Sequence, residues 1–463
     1  MAKTWATLGV DLHLEPTGSG VRKGLTDALR EAVRGGRLAP GTRLPSSRSL
    51  AADLGIARNT VADAYADLVA EGWLTARQGS GTRVAERTVA PQGAEPAQRR
   101  REPSRPAYDL VPGSPDLASF PRTAWLKAAR RALTDAPHEA LGYGDPRGRP
   151  ELRVALAGYL SRARGVRADP DRILVCSGFA DALTLLGTVL RQRGLRSVAV
   201  ESYGLDAHWN LLHRSGLRTT PLPFDELGTD TRDMAGARAV LLTPAHQFPM
   251  GVPLHPDRRA AVVDWARRTG GLVLEDDYDG EFRYDRQPVG ALQGLDPDHV
   301  IHMGTASKSL APGLRLGWLV LPPSLVDEVV SLRAGGGWST GVLDQLTLAE
   351  FITSGAYDRH VRAARLRYRR RRDALVAALA ARAPAVRATG IAAGLHAVLQ
   401  LPPGTERSVV QATAWQGLAV HGLARHRHPD ASVPPLDALV VGYGTPPDHA
   451  WSGALDALCR ALP

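Results

Sequence analysis

Short apolar runs alternate with helical stretches from Tyr108 to the C-terminus. Continuous apolar runs between helices are typical of strands that are buried on both faces of a sheet. The pattern therefore predicts an α/β fold with a mostly parallel sheet. A long basic helix at about residues 357–381 and a smaller C-terminal α/β segment are predicted to follow. The runs predicted as strands are residues 173–176, 197–200, 239–242, 272–274 and 319–321.

The pattern is different in residues 11–85, where short amphipathic helices alternate with turn residues. Ser46 or Ser47 is a good N-cap for one helix, which Gly55 ends. A second helix begins at about Ala57, so that the short connection between the two indicates a helix-turn-helix. Residues 73–84 then predict a short hairpin, or wing.

Residues 86–107 separate these two patterns. They are rich in Pro, Ala, Gln and Arg and show no apolar periodicity, which predicts a flexible linker. The chain is therefore expected to be multidomain, with an N-terminal domain at residues 11–85, a linker at 86–107 and a larger domain at 108–463.

Composition narrows the class of protein. The 463 residues include two cysteines, too few for a disulfide framework and without metal-ligand spacing. No apolar run is long enough to span a bilayer and no signal peptide precedes the first domain, so a cytoplasmic protein without a membrane partner is expected. The net charge is +10, and residues 1–107 hold 16 Lys/Arg against 11 Asp/Glu. This excess agrees with a polyanion partner for the N-terminal part.

Polar residues at the start of the second predicted helix suggest what that partner is. Arg58, Asn59 and Thr60 lie where a recognition helix meets base edges and phosphates. Gly79 and Gly81 would let the backbone of the wing approach a duplex closely. A small helical domain that binds protein is the alternative interpretation.

The segment from Leu38 to Val84 closely resembles the winged-helix DNA-binding domain of the GntR family of bacterial transcription regulators. The resemblance covers about residues 18–85 and implies a promoter DNA partner. By this resemblance the DNA contacts are Arg43, Ser47, Arg48, Arg58, Asn59, Thr60, Gly79, Ser80 and Gly81.

Lysine is rare in this chain, with only Lys3, Lys23, Lys127 and Lys308 among 57 Lys and Arg residues. A lysine amine can lose its proton and attack a carbonyl, whereas a guanidinium cannot. Lys308 follows Thr305 and Ser307 and precedes Arg315, which are residues that suit a phosphate. The sequence therefore predicts a pyridoxal phosphate site, with Lys308 forming the Schiff base to the cofactor.

Two further segments fit such a site. Gly178 follows a predicted strand and opens a helix, where free N–H groups and the helix dipole attract an anion. The acidic run Glu275–Asp277 ends another strand and precedes Tyr278. One of these carboxylates would face the pyridine nitrogen, and at least one of the three is expected to be only a solvated loop charge.

Residues 108–463 resemble the fold type I aminotransferases, and together with the GntR-like head they resemble the MocR/GabR-type subfamily. The resemblance places Gly178, Phe179 and Ala180 at the cofactor phosphate. It places Asp276 at the pyridine nitrogen, although Glu275 or Asp277 could be the true partner, and Tyr278 at the phenolic oxygen.

The remaining assignments from the resemblance concern the flanks of the ring. His246 and Gln247 are either ring neighbours or part of a rigid turn, and Tyr203 is a candidate for stacking on the ring within a segment that departs from the family pattern. Tyr143 matches an element that reaches the cofactor phosphate of the neighbouring subunit, which implies a homodimer with shared sites.

One family feature is missing. Aminotransferases carry an arginine near the C-terminus that clamps the substrate carboxylate, but residues 437–443 contain none, and neither Arg425 nor Arg427 matches the motif. His421, His426 and His428 lie nearby in what is expected to be a solvated loop, with no metal. The hypothesis is a transcription regulator that senses pyridoxal phosphate, or an amine adduct of it, through Lys308. The alternative is a working aminotransferase with a DNA-binding head.

Overall fold

The computed structural model of the chain describes residues 20–77, 81–86, 106–232, 234, 236–284, 289–336 and 340–463. The predicted contacts Gly79 and Ser80, and all but the ends of the predicted linker, lie outside these residues. The chain divides into two compact units, Met1–Ser104 and Arg105–Pro463.

The first unit has three helices and a hairpin among its described residues. Ser46 caps the second helix through a hydrogen bond from the Ser49 N–H to its hydroxyl, and Gly55 ends that helix in the left-handed conformation. Leu25, Val61 and Leu68 pack in the core between the helices. The elements are α1 (Val21–Arg34), α2 (Ser47–Leu54), α3 (Arg58–Ala70), β1 (Leu74–Arg77) and β2 (Gly81–Val84).

The second unit is built around a sheet covered by helices on both faces. Within the described residues this unit contains the strands β3 (Tyr108–Asp109), β4 (Ile173–Cys176), β5 (Ser197–Glu201), β6 (Arg218–Leu222), β7 (Phe224–Asp225), β8 (Gly228–Thr229), β9 (Ala239–Leu242), β10 (Leu272–Asp277), β11 (Val300–Thr305), β12 (Gly317–Val320), β13 (Arg387–Thr389), β14 (Ala397–Gln400), β15 (Leu418–Ala419), β16 (His421–Gly422) and β17 (Ala438–Val441). Its helices are α4 (Arg122–Asp135), α5 (Pro150–Arg164), α6 (Phe179–Gln192), α7 (Asp206–Arg214), α8 (Pro256–Thr269), α9 (Pro323–Gly336), α10 (Val342–Thr353), α11 (Ala356–Arg382), α12 (Glu406–Trp415) and α13 (Asp448–Ala461).

The central sheet has the strand order β4-β12-β11-β10-β9-β5-β6, and only β12 runs antiparallel to its neighbours. Successive side chains along each strand point to opposite faces. In β10, Leu274 packs on one face with α6, and Val273 packs on the other with α8. The five predicted strands and the mostly parallel sheet are confirmed.

Two strands of this sheet lack the continuous apolar sequence by which the other strands were predicted. β6 lies at an edge and reads Arg-Thr-Thr-Pro-Leu, so water covers part of it. β11 contains the buried polar residue His302 and the small residue Gly304. Gly304 is needed there because a Cβ would lie 2.2 Å from the Trp318 indole nitrogen.

A smaller antiparallel sheet, in the order β13-β14-β17-β16, forms the C-terminal part together with α12 and α13. The start of the second unit returns to this part, since β3 pairs with β15. The predicted basic helix is α11. No helix in the described ranges is long and apolar enough to cross a membrane.

Arg371 of α11 joins three parts of the second unit. Its guanidinium pairs with the buried Asp116 at 3.0 Å and donates to the Pro446 carbonyl at 2.7 Å. It also bonds to Asp448. Removal of this arginine would leave the buried Asp116 carboxylate without its ion-pair partner and the buried Pro446 carbonyl without this donor.

We therefore expect Arg371→Ala to lower the free energy of unfolding by about 3–5 kcal/mol, as measured by urea denaturation. Arg369→Ala is the matched control on the same helix, because Arg369 is exposed and 3.9 Å from Asp373. That change should cost under about 1 kcal/mol. Equal losses in the two variants would contradict this role of Arg371.

Candidate functional site

A cavity of about 290 Å³ opens beside the ends of β10 and β11. The carboxyl ends of parallel strands form the usual binding edge of such a sheet. Its lining includes these predicted site residues: Phe179, Ala180, Tyr203, Asp276, Tyr278, Thr305, Ser307, Lys308 and Arg315. The sequence-based prediction thus selected side chains that the fold brings together.

One end of the cavity is suited to an anion. Gly178 has φ +91° and precedes the first turn of α6, so the N–H groups of that turn are available. A Cβ at Gly178 would lie 3.4 Å from the Arg315 guanidinium. Arg315 itself has φ +53°, the only positive φ of a non-glycine residue in the described part of the chain. Such strain is typical of residues that the surrounding structure holds in place for a ligand.

Thr305 and Ser307 lie at the same end and hold each other in position. The Thr305 hydroxyl donates to the Ser307 hydroxyl oxygen at 2.8 Å, and the Ser307 N–H donates to the Thr305 oxygen at 3.1 Å. A helix N-terminus, two hydroxyls and a guanidinium match the needs of a phosphate group.

Lys308 faces the cavity, and its amine donates to the Gly113 carbonyl at 2.5 Å. Burial lowers the pKa of Lys308 below the value of a solvated lysine, and the negative charges of Asp276 and Asp279 oppose part of this shift. A lowered pKa leaves more of the amine neutral at a given pH. The environment therefore favours a nucleophilic lysine.

Asp276 is the one member of the acidic run that faces the cavity. It is buried, and its Oδ1 has no hydrogen-bond partner. Burial raises the pKa of Asp276 well above the usual value, while the charge of Lys308 opposes the shift. A protonated ring nitrogen would supply both the missing hydrogen bond and a positive charge. This orphaned oxygen is the observation that best fits a pyridoxal ring in the cavity.

The expectation that one of the three acids is a solvated loop charge is wrong, because all three are buried. Glu275 accepts hydrogen bonds from the Leu292 and Gln293 N–H groups at 2.6 and 2.9 Å. Asp277 pairs with the buried Arg164 at 2.7 Å. Burial alone would raise the pKa of Asp277, but the charge and hydrogen bonds of Arg164 bring it below the usual value.

Tyr278 lines the cavity, and His246 lies behind it. The Tyr278 hydroxyl donates to the His246 carbonyl at 3.0 Å, and the two rings stack at 6.2 Å. Gln247 braces the loop, since its amide donates to the carbonyls of Tyr203 and Phe248. His246 is not among the side chains that line the cavity, so the structure places it next to a lining residue and not at the lining itself.

Tyr203 and Tyr143 lie in different surroundings. Tyr203 is buried in the cavity wall, and its hydroxyl donates to the Pro434 carbonyl at 3.4 Å. Tyr143 is fully exposed and does not line the cavity of its own chain.

The cavity also contains residues that the sequence pattern did not single out. Glu201, His208 and His396 line it, as do Pro112 and Gly113. Glu201 is held by the Thr229 and Thr243 hydroxyls, and burial raises its pKa to about 7. Of these residues, only Gly113 could have been selected from the sequence, because it lies in a Pro-Gly turn just after the predicted linker.

No second guanidinium joins Arg315 among the described residues that line the cavity. Tyr443, next to the position where a carboxylate clamp was sought, donates its hydroxyl to the carbonyls of Ala393 and Gly394. The nearby Arg427 bonds to the carbonyls of Ala431 and Val433.

The histidine-rich loop is not solvated as expected. His426 and His428 are buried. His428 hydrogen-bonds Thr219 at 2.9 Å, and His426 approaches the Gly204 carbonyl at 3.2 Å. These long-range partners are what the local sequence could not show.

The first unit presents the other predicted contacts. Arg43, Arg48, Arg58, Asn59 and Gly81 are exposed, and Ser47 and Thr60 are partly buried. The three arginines make no ion pair with any residue in the described ranges, unlike Arg22 and Arg30, which join α1 to α3 and the residue after it. Arg43 also lies against the start of β2, where a Cβ at Gly81 would be 3.2 Å from its Nε.

Comparison with known proteins agrees with both units. The gntR family of bacterial regulatory proteins matches residues 22–84, and the aminotransferase class I and II family matches residues 111–424. The chain is 35% identical over 425 residues to the HTH-type pyridoxine biosynthesis transcriptional regulator PdxR of Corynebacterium glutamicum, with 91% of each chain covered. It is 35% identical over 376 residues to the probable rhizopine catabolism regulatory protein MocR of Rhizobium meliloti, with 76% of each covered.

A solved structure extends the agreement to the fold of the second unit. The kynurenine aminotransferase of Pyrococcus horikoshii, in complex with PMP, aligns with a TM-score of 0.69 and 25% identity. The alignment covers 78% of this chain and 91% of that one.

The electrostatics of the cavity lead to a test of Lys308 that needs no cofactor. Competitive acetylation of the cofactor-free protein, followed by mass spectrometry, should give Lys308 a pH midpoint below that of a free lysine side chain. Asp276→Asn should lower the midpoint further, because it removes a charge that favours the protonated amine. A midpoint at or above the free value would contradict this description of the cavity.

Proposed function

Because the chain belongs to the MocR-type subfamily of the GntR transcription regulators, we propose that Lys308 is the point at which it senses its signal. The protein is a DNA-binding transcription regulator whose aminotransferase-like part binds pyridoxal phosphate. The signal is pyridoxal phosphate itself or an amine adduct of it, and the regulator acts in the cytoplasm on promoter DNA. The proposed organisation is a head at residues 11–85, a linker at 86–107 and a body at 108–463.

The cavity has a group for each part of the cofactor. The first turn of α6 at Gly178, Phe179 and Ala180 would hold the phosphate, together with Thr305, Ser307 and Arg315. Asp276 would face the ring nitrogen and Tyr278 the ring oxygen. Pyridoxal phosphate supplies an aldehyde that reacts with primary amines and a ring that withdraws electrons. Lys308 supplies the amine, which burial keeps partly neutral.

The absence of a second guanidinium in the described lining is the observation that carries the choice of signal. An ordinary α-amino acid would bring a carboxylate into the cavity, and Arg315 is already committed to the phosphate end. The cavity therefore suits pyridoxal phosphate alone, or an amine without such a carboxylate. Similarity to a relative named as a regulator of pyridoxine biosynthesis supports pyridoxal phosphate alone as the signal.

The chain also offers a path from the cavity toward the head. Lys308 donates to the carbonyl of Gly113, which lies in the segment that follows the proposed linker. A covalent bond between the Lys308 amine and the cofactor would change this hydrogen bond. Such a change can regulate DNA binding only if the signal has different affinities for two states of the protein.

We propose that the working form is a homodimer with shared sites. Six large apolar side chains are exposed within a single stretch of the second unit: Leu117, Leu126, Leu133, Leu141, Tyr143 and Val154. Exposed apolar residues that lie together in one patch are typical of a surface that another protein covers. Tyr143 would then contact the cofactor phosphate bound to the second copy.

Lys308→Ala tests the assignment of the sensing residue. With pyridoxal phosphate added, the wild-type protein should absorb visible light as the lysine-bound cofactor, and its promoter affinity should change. Lys308→Ala should lose the absorbance band and the change in affinity, because no amine reaches the aldehyde. Lys127→Ala, which removes an exposed lysine on α4, is the control and should keep both. A Lys308→Ala protein that still responds to pyridoxal phosphate would refute the proposal.

Arg58→Ala tests the DNA-binding head. Arg58 is exposed at the first turn of α3, so its loss should weaken promoter binding roughly tenfold. If it contacts a phosphate, the slope of log affinity against log salt should fall by about one. Fluorescence anisotropy measures both quantities. Lys23→Ala, an exposed charge on α1, should have little effect. An unchanged affinity for Arg58→Ala would remove that residue from the interface.

A further inference from the structure

Asp279, His246 and Tyr278 form a continuous hydrogen-bonded chain, in which only Tyr278 lines the cavity. The carboxylate Oδ2 of Asp279 lies 2.8 Å from the Nδ1 of His246. The Tyr278 hydroxyl lies 3.2 Å from the same nitrogen and 3.0 Å from the His246 carbonyl. His246 and Asp279 are each only 3% exposed, so water does not compete for these contacts.

The partners determine where the protons lie. A carboxylate only accepts hydrogen bonds, so the Asp279 contact places a proton on Nδ1 of His246. That N–H also faces the Tyr278 oxygen, which can accept it there. The single hydrogen of the hydroxyl is then left for a second acceptor. In the structure this acceptor is the His246 carbonyl.

Packing leaves the His246 ring little freedom to turn. A Cβ at Gly394 would lie 2.3 Å from the His246 Cε1 and 2.5 Å from the Asp279 carboxylate. On the other side His396 lies 5.1 Å away, ring to ring. The Gly394 carbonyl is itself held by the hydroxyls of Tyr284 and Tyr443, at 2.5 and 2.8 Å.

We propose that Asp279 and His246 are positioning residues that keep the Tyr278 hydroxyl as a hydrogen-bond donor to the ring oxygen of the cofactor. This inference rests on the proposed function, because it assumes a pyridoxal ring beside Tyr278. Neither residue touches the ring. They act by holding the Tyr278 oxygen in place and by donating the Nδ1 hydrogen to it. The hydroxyl hydrogen, which the His246 carbonyl accepts in this structure, can then turn to the ring oxygen when the cofactor binds.

The same residues also form a group, with His396, whose ligand atoms lie within 4.8 Å of one another. The hydrogen bonds favour the positioning role over a metal site. Nδ1 of His246 is already occupied by Asp279, and Nε2 of His396 is 3.0 Å from the Pro249 carbonyl.

Several titratable groups surround the Tyr278 hydroxyl and contribute to any pH dependence measured there. Burial raises the pKa of Tyr278 well above its usual value, and the negative charges nearby add to this shift. The hydroxyl therefore stays protonated and able to donate. The groups that face it are His246, Asp279, Asp276, Glu201 and Tyr443, with Lys308 across the cavity.

Asp279→Asn is the central test. The amide can donate to Nδ1 of His246 and so move the ring proton to Nε2, as a carboxylate-to-amide change does in a serine protease triad. Nδ1 would then accept from the amide and no longer donate to the Tyr278 oxygen, so this oxygen loses the contact that leaves its own hydrogen for the cofactor. A hydrogen bond to an anionic oxygen favours the deprotonated form of the lysine-bound cofactor. Its loss should raise the pH midpoint of the visible absorbance by about one pH unit. Removal of the Asp279 charge acts in the opposite direction, because that charge favours the protonated form of the Lys308 nitrogen.

Tyr278→Phe provides the matched comparison. It should raise the midpoint by about one pH unit through loss of the same hydrogen bond. In the Tyr278→Phe background Asp279→Asn should show only the lowering caused by its lost charge, so its effects in the two backgrounds should differ by about one pH unit. Arg258→Ala is the control for a merely structural effect. It removes a buried guanidinium that pairs with Asp225 and donates to the Gly228 carbonyl, and it should lower stability without moving the midpoint.

A second readout needs no cofactor. In the full-length cofactor-free protein, the Nδ1 proton of His246 should give a downfield proton NMR resonance that disappears in both Asp279→Asn and His246→Gln. An Asp279→Asn shift that is the same in the wild-type and Tyr278→Phe backgrounds would overturn the positioning role. Stoichiometric metal that chelators remove, together with no such resonance, would overturn it in favour of a metal site. A wild-type protein without a visible band would instead refute the proposed function, while the resonance would still test the Asp279–His246 contact.

Discussion

The Lys308 amine and the Asp276 carboxylate face one cavity, and neither forms an ion pair with any residue of the described ranges. Charged groups removed from water are costly unless they are paired or shift their protonation. Here burial shifts the pKa of each toward the neutral form, and both groups line the cavity in which we propose that a pyridoxal ring binds. The surrounding structure satisfies the other two acids of β10, since Arg164 pairs with Asp277 and the N–H groups of residues 292–293 donate to Glu275.

The remaining features of the cavity follow from this arrangement. The phosphate site that we propose at Gly178 and Arg315 would fix the position of the phosphate, and therefore the orientation of the ring. Asp279 and His246 do not line the cavity. They form a hydrogen-bonded pair, and Nδ1 of His246 contacts the Tyr278 hydroxyl. The amine of Lys308 contacts Gly113, in the first part of the second unit. Under the proposed function, occupancy of Lys308 would alter this contact in the part of the chain that follows the linker.

Much of the site could be predicted from the sequence, for reasons that are local. Lys308 was conspicuous because lysine is rare, and Gly178 and Arg315 have signatures within a few residues of their strands. The sequence could not distinguish Asp276 from its neighbours, because the partners of Glu275 and Asp277 are distant in the chain. For the same reason the burial of His426 and His428 and the position of Glu201 in the cavity lining were not foreseen. The edge strand β6 was missed because its sequence is largely polar. The contact between Asp279 and His246 joins residues 33 positions apart, which no local pattern shows.

Titration of the full-length protein with pyridoxal phosphate, following visible absorbance and promoter affinity in the same samples, tests the central claim most directly. If occupancy of Lys308 is the signal, the two curves should share one midpoint. Different midpoints, or an absorbance band that saturates with no change in promoter affinity, would contradict the claim that cofactor attachment at Lys308 controls DNA binding.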